Sequence, residues 1–493
     1  MKDDVTGKMS RAVHWVGWAL VESMTLVVLS LITLLVTARL LGPADFGIAA
    51  SVIAIIGVLN TAVEGLFSEA LVQRATIHDG HVSAALGAAL ASALVLILLC
   101  WVGAGFLAAL YHQPMMAPLL RVGSLGLLFS GFSGVQSALL RRSFGFRQLA
   151  LRTLVARVSS CVIALAMTID GWGPWSLIGQ YLAATGLGAV ALWWWSPQSL
   201  RWHHRPGSLR DLWRFAGPWL ANEIVQVNLS RLYQALAAYL FGPYQFGFLS
   251  MGFRIADTLR DLIGNIANNV GLPVFARLQH DPYGLARQYT AATATLCIIA
   301  LPCFAGLAIC APTIVQAVLG HDWLPSVPLI QVLAAGAGIG FTASLAYTVF
   351  AALGRPAFVL PLSLFEVVLS LSLLLTLSHI GIMAAGLAWA LRQVISVVML
   401  QLMCVRVLPL RIADVLRALR SPALLVIGFA AALQLLNVWI LPDLEPIVRL
   451  AILGLMAGTL LIIGIALIRP SIVKAVIANI TSAKQAEPVS ISD

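Results

Sequence analysis

One stretch of this sequence concentrates the residue types that do chemistry. Arg254, Asp257, Arg260, Asp261, Asn265, Asn268 and Asn269 lie within sixteen positions. Arg254, Asp257, Asp261, Asn265 and Asn268 step by three or four, which lines one face of a helix. Guanidinium forks bind phosphate oxygens bidentately, and amides add hydrogen bonds beside them, so the stripe suits an anionic head. The bland alternative is a neutralised structural pair at i,i+3, either Arg254–Asp257 or Asp257–Arg260. A second set, Asn222, Gln226 and Ser230, is spaced by four, with Glu223, Arg231 and Tyr233 beside it. The candidate substrate-binding residues are therefore Arg254, Arg260, Arg231, Asn265, Asn268 and Gln226. Asp257, Asp261, Glu22 and Glu223 are candidates to titrate and couple an ion. No catalytic residue, metal ligand or cofactor site is expected.

The elements that hold these residues are read from composition. The chain has 493 residues, 60% hydrophobic and 10% charged, with net charge +10 and mean hydropathy +0.94. Soluble domains carry about 25% charged residues, so a soluble enzyme, a disulfide scaffold and a disordered chain are excluded. Long, non-alternating apolar runs exclude an outer-membrane barrel. The expectation is an all-α polytopic membrane protein with about fourteen transmembrane helices. Turn chemistry separates the spans: Gly42-Pro43, His112-Gln113-Pro114, Gly171 to Pro174, Gly242-Pro243, Gly354-Arg355-Pro356 and Pro442.

A sequence pI near 9.7 raises nucleic-acid binding as a possibility, and the loops answer it. Loops alternate without exception between basic sets, which hold 21 of the 30 Lys and Arg residues, and sets that hold none. By the positive-inside rule both termini of this multi-pass membrane protein are expected on the cytoplasmic side. No nucleic-acid partner is expected. The first span is expected to be retained rather than cleaved. The six cysteines fall in or beside apolar runs without CxxC spacing and read as packing residues. No G-x-x-x-x-G-K-[ST] motif is present, so ATP hydrolysis on this chain is not expected.

An offset of 200 residues lays the first span on the seventh. Residues 17–47 and 217–247 share 11 of 31 positions without a gap, including Gly-Pro-x-x-Phe-Gly at 42–47 and 242–247. An offset of six spans preserves orientation, so this is a parallel repeat. The domains expected are an N-terminal six-helix lobe at 15–195, a basic cytoplasmic linker at 196–214 and a C-terminal six-helix lobe at 215–405. Two additional transmembrane helices follow at 421–468, then a cytoplasmic tail at 469–493. The substrate path is expected between the lobes.

Ionisable groups inside a bilayer cost roughly 2.5–3.5 kcal/mol on insertion scales, so each is a functional candidate. Glu22, Glu64 and Glu69 join the two sets above. Arg39 and Glu69 lie near span ends and can snorkel. Arg121, Arg152 and Arg157 fit a lumen or the headgroup region equally well. Glu366 and Arg392 read as a buried pair, and Trp193–Trp195 as an interfacial aromatic belt.

The opening Ala-Arg-Leu-Leu-Gly-Pro-Ala-Asp-Phe-Gly (38–47) resembles that of bacterial polysaccharide transporters. These are the Wzx-like flippases of the multidrug/oligosaccharidyl-lipid/polysaccharide exporter superfamily. Leu240–Gly247 and Leu272–Gln279 are similar to that family's seventh and eighth spans. The resemblance implies flipping of undecaprenyl-diphosphate-linked oligosaccharide by alternating access, for an exopolysaccharide, capsule or lipopolysaccharide O-antigen. It implies lipid-linked oligosaccharide, membrane lipids and polysaccharide polymerase or export machinery as partners. It also implies cationic cavity residues, carried here onto Arg254 and more weakly onto Arg231 and Arg260. Peptidoglycan-precursor flippases share the fold, but their first-span arginine cluster has no counterpart here. Two alternatives stand beside this reading: an ion-coupled multidrug/cation antiporter of the same fold, and a membrane-embedded polymerase or glycosyltransferase.

Overall fold

In the computed structural model the described residues are 2–65, 68–73, 77–143, 145–195, 208–353, 360–440 and 444–468, and no strand occurs among them. Side chains at 2–28, 31, 69–70, 73, 146, 208–227, 265–270, 272–273, 440 and 467–468 also lie outside the description. The expectations placed on Glu22, Glu69, Asn222, Glu223, Gln226, Asn265, Asn268 and Asn269 therefore fall outside the described residues.

Two long rods organise the chain, each made of two helices. Helix α1 (Lys2–Gly65) turns at Gly42, with φ 72° and ψ 170°. Helix α8 (Ser208–Arg277) turns at Gly242, with φ 73° and ψ 166°. This backbone region is essentially closed to residues with a Cβ. Pro43 and Pro243 follow, with φ already set for a new helix. The same six-residue pattern thus builds the same corner twice.

Between the rods lie α2 (Ser68–Gln73), α3 (Asp79–Leu110), α4 (Met116–Ser124), α5 (Gly126–Arg142), α6 (Phe146–Ile169) and α7 (Trp175–Trp195). After α8 come α9 (Pro282–Ile314), α10 (Val327–Phe341), α11 (Ser344–Ala352), α12 (Leu360–Leu377) and α13 (Ile382–Val407). The chain then adds α14 (Ile412–Leu435) and α15 (Pro446–Ile468), both packed against α9. Eleven helical stretches among the described residues are long and apolar enough to cross a membrane, so this is a multi-pass membrane protein. Ile32–Gly65 is one of the eleven, and neither half of α8 is among them. Both α1 and α8 are divided into two helices, at Gly42 and Gly242.

The apolar cores show how the halves meet. At the turn end, where Gly42 and Gly242 lie, one core draws on both halves: Leu34, Phe46 and Ala49 with Tyr233, Phe246, Phe248, Trp323 and Trp389. At the linker end, where α7 ends and α8 begins, the cores part. Leu71, Leu86 and Leu139 form one, and Phe275, Tyr289 and Phe350 another. Short α2, beside the first of these cores, also contacts α8. The halves are welded at one end and separately cored at the other.

Trp323 is the centre of the weld. It is 1% exposed, its ring meets Phe46 at 5.4 Å and Phe248 at 6.0 Å, and its Nε1 donates to the Ala38 carbonyl at 3.1 Å. Trp323→Phe should keep most of the packing but orphan that carbonyl. The expected cost is about 1 kcal/mol, read as a small fall in melting temperature of the detergent-solubilised protein.

Candidate functional site: a cationic cleft between the halves

Helices α1 and α8 run together where the cores begin to part. Their close approach starts at the turns, where α1 and α8 pass each other backbone to backbone. A Cβ on Gly47 would collide with the Pro243 carbonyl oxygen, and one on Gly247 with that of Pro43. The two Phe-Gly steps therefore interlock reciprocally, and only glycine permits it.

Arg254 sits beyond this interlock on α8. It is accessible to solvent although protein surrounds it, the signature of a group on a cleft wall. Arg157 of α6, from the other half, is also exposed and within electrostatic reach of it. Among the described residues neither guanidinium has a carboxylate partner. Two like charges brought together from opposite halves repel unless an anion lies between them.

The rest of the stripe is partly neutralised. Arg260 pairs with Asp257 at 3.1 Å and approaches Asp261 at 3.9 Å, so the structural pair anticipated at i,i+3 is the Asp257–Arg260 one. Asp261 is 70% exposed and remains the accessible carboxylate of the stripe. Arg231 is used differently. Its Nη1 donates to the Gly57 carbonyl and, at 2.8 Å, to Thr61 Oγ1. Thr61 in turn donates to Asn228 Oδ1 at 3.0 Å. This arginine bridges the halves.

Glu64, one turn beyond Thr61, is exposed and accepts a bond from Asn60 Nδ2 at 3.1 Å. Its charge reaches Arg231. Sequence reasoning noted Glu64 but missed Thr61, Asn60 and Asn228. The spacing of Gly57, Thr61 and Glu64 on one helical face is the signal that points to them.

Away from the cleft, Arg392 and Glu366 pair at 3.6 Å, each 6% exposed. Arg152 packs over Gly188 of α7, and Arg121 is exposed on α4. Trp193–Trp195 close α7 at the linker end, with Trp194 81% exposed. All six cysteines are free.

Two rods kinked alike and two cores that part form a fold that solved membrane transporters share. The solved structure of the lipid II flippase MurJ in an inward closed conformation superposes with a TM-score of 0.75 at 13% identity, covering 92% of this chain and 99% of that one. An inward-facing multidrug resistance transporter of the MATE family superposes with 0.63 at 14% identity, over 76% of this chain and 93% of that one.

The family described as polysaccharide biosynthesis protein matches residues 36–328, and the chain belongs to it. The succinoglycan biosynthesis transport protein ExoT of Rhizobium meliloti (strain 1021) is 25% identical over 66% of each chain. The lipopolysaccharide biosynthesis protein WzxC of Escherichia coli (strain K12) is 20% identical over 64% of this chain and 65% of that one. These matches span slightly under two thirds of either relative's length.

Proposed function

We propose that this protein flips lipid-linked oligosaccharide repeat units, carried on undecaprenyl diphosphate, across the bacterial cytoplasmic membrane. The product is an exopolysaccharide, a capsule or an O-antigen. The linker end is cytoplasmic, as the loop charges require. The lobes at 15–195 and 215–405 rock about the cleft by alternating access, with 421–468 as two added helices. The chain acts as a transporter rather than an enzyme, and its partners are the lipid-linked sugar, membrane lipids and polysaccharide polymerase or export machinery.

One observation carries the reading: Arg254 and Arg157 come within electrostatic reach of each other from opposite halves, and among the described residues neither has a carboxylate partner. A diphosphate offers two anionic groups to two guanidiniums, each a charge-assisted contact. Arg260, Arg231, Asn265, Asn268 and Gln226 complete the binding set in this reading. Asp261, Asp257, Glu22 and Glu223 serve ion coupling.

Deleting the protein is expected to trap lipid-linked oligosaccharide on the cytoplasmic face and abolish the surface polymer. Unchanged polymer with raised dye sensitivity would favour the multidrug antiporter instead. Arg254→Ala, correctly inserted, should lower polymer export about tenfold or more, the scale of one lost charged hydrogen bond. Full complementation by Arg254→Ala would remove that residue from the site.

A further inference from the structure

We propose that Arg231 is a fastener between the two halves that an anionic headgroup undoes. The inference rests on the reading above and adds a way for substrate to trigger the conformational change.

Arg231 is half-buried between Leu229 and Tyr233, both part of the shared core. Its guanidinium crosses to the other half and there meets neutral acceptors, the Gly57 carbonyl and the Thr61 hydroxyl. The approach depends on Gly57, where a Cβ would stand 3.1 Å from Arg231 Cδ. Among the described residues no carboxylate forms an ion pair with the group. The carboxylate of Glu64 lies within electrostatic reach, on the same helical face and nearer the linker end.

The seam around this contact is incompletely satisfied. Asn228 Nδ2 and Asn60 Oδ1 are both buried without a hydrogen-bond partner. A partly satisfied polar network is the place where rearrangement costs least. A guanidinium binds phosphate oxygens more strongly than neutral acceptors, and bidentately. A phosphate arriving along the cleft therefore competes for Arg231 against Gly57 and Thr61. When it wins, the bond joining the halves is gone and the weld at the turn end is weakened. A ligand moves a conformational equilibrium only through differential affinity, and here the difference is Arg231, free to bind only when the halves part.

The geometry makes opposite demands on the two partners. Removing the acceptor should help the ligand, and removing the arginine should hinder it. The test uses the full chain in lipid nanodiscs with spin labels at Asp170→Cys and Asp322→Cys, exposed turn-end positions in opposite halves. The probe is farnesyl diphosphate, with farnesol as the uncharged control. Farnesyl diphosphate should lengthen the turn-end distance in the otherwise unsubstituted protein, and farnesol should not. Thr61→Val should lower the midpoint of that response, and Arg231→Gln should raise it, each by about fivefold. If Arg231→Gln fails to fold, Arg231→Lys keeps the charge, loses the fork and should also raise the midpoint.

A response in which Thr61→Val and the Arg231 variants move the midpoint the same way, or not at all, overturns this inference alone. It would make Arg231 a plain strut. Absence of any response to farnesyl diphosphate overturns both this inference and the diphosphate reading of the cleft.

Discussion

Gly47→Ala is expected to stop transport while leaving the protein in the membrane, and Gly247→Ala to do the same. A Cβ at Gly47 would strike the Pro243 carbonyl, and one at Gly247 the Pro43 carbonyl. Each target is backbone at the first turn of a helix whose start is fixed by a Gly-Pro corner, so it cannot swing aside as a side chain would. Overpacking of this kind costs typically about 1–3 kcal/mol. That cost falls on the state in which the turn end is closed and not on one in which the rods have separated. The closed population should therefore drop by about 5- to 150-fold. An impermeant maleimide should label Ala238→Cys, buried in the shared core of the closed turn end, more readily in either variant, and surface polymer should fall in parallel. Because both methyl groups obstruct one interlock, the double variant should be far less than additive. Normal polymer with unchanged labelling would show that the interlock does not govern closure.

The second large effect is thermodynamic. Arg392→Met or Glu366→Leu alone should destabilise the protein by about 3–5 kcal/mol, because each leaves an uncompensated buried charge. The pair joins α13 to α12 at 3.6 Å. Tyr347 donates to Glu366 Oε1 at 3.3 Å, and Arg392 lies 4.1 Å over the Trp389 ring. Trp389 packs on Tyr233 and Phe253 at 4.9 and 5.1 Å. The pair is thus coupled through aromatics to α8, the cleft wall. Replacing both partners together removes both charges, and that variant should recover most of the loss. Thermal unfolding in detergent of the two single variants and the double variant forms the cycle that checks it. Equal losses in all three would mean that packing on Trp389, rather than charge, is what matters.

Much of the architecture was legible from the chain. Apolar run length gave the membrane class, because nothing but a helix satisfies backbone groups over such runs. The Gly-Pro-x-x-Phe-Gly repeat gave both corners, since the angles at Gly42 and Gly242 exclude other residues. Glu366 and Arg392 were legible as a pair because isolated opposite charges in apolar helices have little else to bind. The cleft was harder to read. Arg254 and Asp257 share a helical face, and spacing alone could not tell which charge would be cancelled. The answer depended on Asp257 turning to Arg260. Arg157 stands nearly 100 positions from Arg254, and no local pattern links them. Arg231 was legible as a buried cation, but its bond to the Gly57 carbonyl was not, because a main-chain acceptor leaves no trace in residue type.

The reciprocal interlock at Gly47 and Gly247 also bears on how such a chain can be assembled. Each half offers a patch that recognises its own likeness, as the two copies in a symmetric dimer do. A lone half would thus carry a self-adhesive face into the membrane, and during synthesis the first half must wait for the second to cover it. Joining both halves in one polypeptide makes the second copy the nearest available mate, at a local concentration that neighbouring molecules cannot match.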